Sequence, residues 1–168
     1  MDSSKAFERD LTELLPRLRR FAHALSRNSA DADDLTQATA ERALRSREQW
    51  QPGTRLDSWL YRIMRNLWID TSRARIRKGK NEAPEEEAET IGVDPSGAME
   101  AAIELKRAMA ALEKLPDEQR EIVALILIEG FGYREVAEML DLPIGTVSSR
   151  LVRGRSAMLA MLGGTRDG

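Results

Sequence analysis

The residues best suited to chemistry lie near the C-terminal end, between Tyr133 and Arg155. Thr146, Ser148, Ser149, Arg150, Arg153 and Arg155 are interleaved with apolar Val147, Leu151 and Met158, and no acid occurs between Gly145 and Leu162. Small hydroxyls beside arginines on one face of a helix suit hydrogen bonding to base edges and phosphates. Ahead of them Val136, Ala137 and Leu140 give a shorter helix an inward face. Pro143 disfavours helical geometry in the residue before it, so residues 141–143 read as the turn of a helix-turn-helix. Two amphipathic helices joined by a turn usually only pack together. The acid-free basic face after Gly145 moves the reading toward nucleic acid.

A second cluster runs from Trp50 to Lys80. Between Tyr61 and Lys80 a single acid, Asp70, stands against seven basic residues, a concentration that favours a phosphate-contacting surface over a solvated helix end. Arg62, Arg65 and Asn66 sit among apolar Trp59, Leu60, Ile63, Met64, Leu67 and Trp68, and Arg73 follows. Trp59 and Trp68 fall on the apolar stripe and are expected in the core. Trp50 lies outside it, flanked by Gln49, Gln51 and Pro52. There it either stacks on an unpaired base or plugs the end of a helical bundle, and the two alternatives stand level. A third cluster, Asp31, Asp33 and Asp34, falls where a helix begins. Acids there offset the helix dipole, which is enough to account for Asp31.

Other chemistries are excluded. The chain has no cysteine and one histidine, His23, which leaves no disulfide, no thiolate metal site and no histidine-based triad. There is no glycine-rich nucleotide loop and no nucleophile–base pair, so neither an enzyme nor a metal or cofactor is expected. The 168 residues are 42% hydrophobic and 32% charged without a long apolar run, which argues against a membrane span. The N-terminus lacks the apolar core of an export signal, so a cytoplasmic protein is expected. The net charge of −2 averages over segments of opposite sign and does not argue against a nucleic-acid partner.

These clusters need helices to hold them. Phe7, Leu11, Leu14, Leu15, Leu18, Phe21, Ala22 and Leu25 recur at three- and four-residue steps and predict a first helix. A polar break at residues 26–31 precedes a second helix from Ala32 to about Arg45, with Leu35, Ala38, Thr39, Arg42 and Ala43 for packing. Thr54 and Asp57 have capping-box spacing, which predicts a third helix starting at Arg55. Residues 79–98, with two prolines and a dense acidic run, read as a flexible linker. Helical periodicity resumes from Met99 through Ile103, Leu105, Ala108, Met109 and Leu112. A further helix starts at Pro116, buries Ile122, Val123, Leu125, Ile126 and Leu127, and ends at Gly130. The expected architecture is all-α: a helical domain over residues 1–78, the acidic linker, and a helix-turn-helix domain over residues 99–164.

In this order the segments resemble the extracytoplasmic-function (ECF) class of bacterial sigma factors, small two-domain members of the sigma-70 family. Asp33-Asp34-Leu35-Thr36-Gln37 is similar to the family segment that binds the clamp of the polymerase largest subunit. Trp59 to Asn66 resembles its Trp-Leu-x-x-Ile-x-x-Asn run. Leu115-Pro116 to Arg120, and Gly145 to Arg150 with Arg153-Gly154-Arg155, resemble the region that reads the −35 promoter element. The resemblance implies docking on core RNA polymerase, at its clamp and flap, through Asp33, Asp34, Leu35 and Gln37. It implies capture of the −10 element as single strand by Trp50, Arg62, Arg65, Asn66 and Arg73. It implies −35 contacts by Thr146, Ser148, Ser149, Arg150, Val152 and Arg153, with Val152 against a thymine methyl. It also implies an anti-sigma partner. Ala38 stands where many members carry an acid, and Ser148 where some carry a basic residue.

The expected function is therefore promoter recognition, −10 melting and initiation by a chain that is monomeric when free. Two rivals differ in class. A sigma mimic that only sequesters an anti-sigma factor has no need of the basic patch from Arg62 to Arg75. A helix-turn-helix repressor leaves the aspartate segment and the acidic linker unexplained, and such repressors usually dimerise.

Overall fold

The computed structural model describes residues 3–79 and 99–163. The expected linker at 79–98 lies, apart from Gly79, outside the described residues. Among those described there are seven α-helices and no strand. They fall into two compact units, the first built on the three N-terminal helices and the second on the four that follow.

In the first unit α1 spans Ser3–Ser26, α2 Ser29–Arg45 and α3 Leu56–Arg77. The stripe read from α1 is real: Phe7, Leu11, Leu18, Phe21, Ala22 and Leu25 are buried, against Ala32, Leu35, Thr39 and Ala43 of α2. Arg27 adopts a left-handed φ of 56° between α1 and α2. The Asn28 side chain then accepts from the Asp31 backbone N–H at 3.0 Å. That cap starts α2 three residues earlier than expected.

The start of α3 is a correction. Arg55 occupies the N-cap without a side-chain hydrogen bond, which puts Thr54 one residue too early to cap. Its hydroxyl donates to the Gln51 carbonyl at 2.6 Å instead. Asp57 serves other partners, accepting from the Ser58 N–H at 2.8 Å and from Arg55. The buried face of α3 is also narrower than expected. Leu60, Tyr61 and Met64 form it, and Tyr61 meets Phe21 at a ring separation of 5.0 Å. Trp59 and Trp68 are only half-buried.

In the second unit α4 is Met99–Glu113, α5 Asp117–Val123, α6 Tyr133–Leu140 and α7 Ile144–Gly163. Its core collects Ala111, Leu112, Leu115, Ile122, Val123, Leu125, Phe131, Val136, Val147 and Leu151. Ile103 and Leu105, which contribute to the helical periodicity of α4, are more than half exposed. After α5 the chain makes a π-helical stretch, Ala124–Ile128, in which the Glu129 N–H donates to the Ala124 carbonyl at 2.9 Å. The extra residue in that turn shifts the helical phase. Leu127, expected inside, is 53% exposed. Gly130, at φ 78°, ends the segment.

Candidate nucleic-acid interface

The basic helix α7 is set by a short, well-specified turn. Asp141 adopts a φ of 54° after α6, and the Leu142 N–H reaches back to the Ala137 carbonyl at 3.0 Å. That six-to-one bond closes the helix end in the manner of a Schellman motif. The Pro143 carbonyl then accepts the first N–H bonds of α7, from Thr146 at 3.0 Å and Val147 at 3.2 Å.

Three residues anchor α7 from below: Val147, Leu151 and Gly154 are buried along one stripe. Gly154 marks the closest approach to α5. A Cβ placed there would lie 2.7 Å from Val123 Cγ2 and 3.3 Å from Gln119 Cβ, closer than non-bonded carbon atoms settle. In the sequence it stands within Arg153-Gly154-Arg155, where no packing role was expected of it. An isolated glycine inside a strongly helical stretch costs about 1 kcal/mol relative to alanine, and that was the available signal.

With that stripe inward, helical geometry aims Ser149, Val152, Arg153 and Ser156 outward. All four are exposed, Val152 by 60%. Thr146, Ser149, Arg150 and Arg153 flank an open groove of about 510 Å³ whose opposite wall is Pro116, Glu118 and Gln119 of the α5 start. Of the six residues expected on the −35 element, these four share the groove, whereas Ser148 and Val152 lie outside it. Glu118, Gln119 and Arg120 lie in the 115–120 segment that resembles the −35-reading region, where none was expected as a contact in its own right. Arg120 is 2% exposed. It donates to the Leu115 carbonyl at 2.8 Å and pairs with Asp117, fixing the α4–α5 connection beneath the groove wall.

In the first unit α3 presents Arg62, Asn66 and Arg73 as exposed side chains at four- and seven-residue steps, hence on one face, with Arg65 half-buried. Trp50 is half-buried. Its ring lies 5.8 Å from Phe7, and its indole Nε1 is buried without a hydrogen-bond partner. Trp68 carries the Arg75 guanidinium 5.6 Å from its ring centroid.

The aspartate segment divides by depth. Asp33, Asp34 and Gln37 are exposed on α2, while Leu35 is 5% exposed and part of the core. Asp33 pairs with Arg19 at 2.6 Å, and the Gln37 amide donates to Glu41 at 3.3 Å. Asp31, assigned only a dipole role from sequence, accepts two bonds from Arg75 at 2.7 and 2.8 Å, tying the start of α2 to the end of α3. Those hydrogen bonds hold its carboxyl below the usual carboxylate range against the opposing effect of burial. No three His, Asp or Glu side chains among the described residues converge as metal ligands.

Known proteins carry the same two units. The family model described as Sigma-70 region 2 matches residues 11–79, and that described as Sigma-70, region 4 matches residues 105–158. The ECF RNA polymerase sigma factor EcfG of Rhodopseudomonas palustris is 39% identical over 153 residues, covering 91% of this chain and 83% of the relative. SigM of Mycobacterium tuberculosis is 36% identical, covering 87% and 71%. Among solved structures, the sigma factor RpoE from Bartonella quintana, crystallised with the anti-sigma factor NepR, superposes with a TM-score of 0.79 at 30% identity. That match covers 98% of this chain and 99% of the other. CnrH in complex with the cytosolic domain of CnrY gives a TM-score of 0.65 at 25% identity, covering 98% and 94%.

Proposed function

The chain belongs to the ECF sigma factors of the sigma-70 family, and on that premise we propose which of its residues do the work. It is an alternative sigma factor, which binds core RNA polymerase and directs promoter recognition and initiation. Its contribution is binding, and the polymerase supplies the chemistry. Among the described residues no helix is long and apolar enough to cross a membrane, in keeping with action beside the polymerase in the cytoplasm.

In our reading residues 1–78 dock on the polymerase and capture the −10 element, 79–98 connect, and 99–164 read the −35 element. The observation that carries the −35 assignment is the outward face of α7, where hydroxyls and arginines without an acid stand opposite a buried Val147–Leu151–Gly154 stripe. Arg153 and Ser149 address base edges, Thr146 and Arg150 the flanking phosphates, and Val152, with Ser148 beside it, a thymine methyl. On α3, Arg62, Arg65 and Arg73 neutralise phosphates, and Asn66 meets a base extruded from the −10 stack. Trp50 acts from within the bundle, holding the connection before α3 by its contact with Phe7. Asp33, Asp34 and Gln37 make the polymerase contact directly, and Leu35 sets the height of α2. RpoE was solved bound to the anti-sigma factor NepR, and CnrH bound to the cytosolic domain of CnrY. A protein partner of that class is proposed for this chain also.

Arg153→Ala tests the −35 assignment. Reduced initiation at promoters that depend on a −35 element is expected, by about 1–3 kcal/mol if the arginine makes a bidentate base contact. Unchanged protection and activity would remove the assignment.

A further inference from the structure

The proposed −35 surface carries an acid on its rim. Glu118 is the one acid among the residues lining the groove, which it shares with Thr146, Ser149, Arg150 and Arg153. Its Oε2 lies 3.7 Å from Nη2 of Arg150; the Glu118 side chain is 73% exposed and that of Arg150 25%. An ion pair so exposed contributes little to folding, so its place beside the DNA-facing residues is not explained by stability. A carboxylate there resists an approaching phosphate. It also neutralises a cation that would otherwise release counterions on binding.

We propose that Glu118 is a positioning residue for promoter recognition: it holds Arg150 against the α5 wall, withholds it from non-specific phosphate contact and yields it only to the flanking phosphate of a correctly docked promoter. Discrimination then rests on Ser149 and Arg153, because the sequence-independent part of the affinity is reduced by one cation. The gain is in the ratio of specific to non-specific binding, the quantity that matters among many competing sites. The proposal rests on the reading of α7 as the −35 helix.

The test uses the full chain and two duplexes, one of random sequence and one from a promoter that the holoenzyme transcribes, with affinity followed across a salt series. For Glu118→Gln on the random duplex, the slope of log affinity against log salt is expected to steepen by about 0.9. Between about 200 mM and about 50 mM salt, that is an affinity gain about 3.5-fold larger than the native chain shows. Preference for the promoter duplex falls accordingly. In an Arg150→Gln background the same Glu118→Gln change is expected to leave the slope where it was. An unchanged slope in the single variant would overturn the proposal. So would equal steepening in the Arg150→Gln background, since the acid would then act by general repulsion and not through Arg150. Loss of single-position base preference in Glu118→Gln without a slope change would overturn it too, making the acid a direct base reader. Arg153→Ala separates the premise: promoter preference retained there would defeat the α7 reading, and this proposal with it, whatever the slopes do.

Discussion

Gly154→Ala is a substitution whose sign distinguishes this packing from any in which α7 is a free surface helix. On an exposed helix the change stabilises, since alanine is favoured over glycine by about 0.8–1.0 kcal/mol. Here the new Cβ would sit 2.7 Å from Val123 Cγ2 and 3.3 Å from Gln119 Cβ. Ordinary contact between carbons is about 3.5–4.0 Å, so roughly 1 Å of separation must be found. Val123 is 1% exposed and β-branched within a helix, which leaves its side chain essentially one rotamer. The strain therefore falls on the distance between α5 and α7. Overpacking of this kind costs about 1–3 kcal/mol. Net of the propensity gain, destabilisation of about 1 kcal/mol is expected. Urea unfolding followed by far-ultraviolet circular dichroism, with hydrogen exchange of the α5 and α7 amides, measures it. Adding Val123→Ala gives the clash room, so the two changes together should cost less than their separate sum. A Gly154→Ala chain more stable than the native one would refute the close approach and the position it gives α7.

Four further substitutions probe the first unit. Asp31→Asn removes the charge and one of the two bonds from Arg75, and a loss of about 1 kcal/mol is expected at neutral pH for a pair still partly open to solvent. Because the folded carboxyl is held below its ordinary value, this contribution is present above the unfolded pKa and is lost as pH falls through the folded one. Native and variant stabilities should therefore converge in the acid range below about pH 4, and a constant gap there would contradict the pairing. Leu35→Ala should destabilise the chain by about 2–5 kcal/mol as a core truncation. Gln37→Ala should leave stability within about 0.5 kcal/mol and weaken binding to core polymerase; the reverse pattern would exchange their roles. Asn66→Ala is expected to impair opening of the −10 region more than initial docking, and undiminished permanganate reactivity of its thymines would remove the residue from the site.

Much of this arrangement was legible in the residue order because it rests on periodicity. The α1 stripe, the two halves of the helix-turn-helix and the outward Ser149 and Arg153 follow from three- and four-residue spacing alone, whereas Val152 entered only through the family resemblance. What escaped was decided by contacts distant in sequence or by register. The Thr54–Asp57 spacing fitted a capping box, but Arg55 took the cap and the hydroxyl turned back to Gln51. The π-helical stretch moved Leu127 out of the core, since apolar runs do not disclose which turn carries an extra residue. Trp50 lies beside Phe7, a neighbour far away in sequence that local spacing does not disclose. Arg120 reads as a surface residue until its carbonyl partner is known, and Glu118 meets Arg150 only through the packing of α5 on α7.

Reconstitution with core polymerase tests the central claim most directly. The purified chain is mixed with bacterial core enzyme lacking any sigma subunit, and run-off transcripts are mapped on a fragmented genomic library. Discrete start sites preceded by two shared short elements are expected, with Arg153→Ala depressing the sites that depend on the upstream one. Absence of both core binding and specific transcripts, with tight binding to a small protein partner alone, would contradict the account and favour a sequestering decoy.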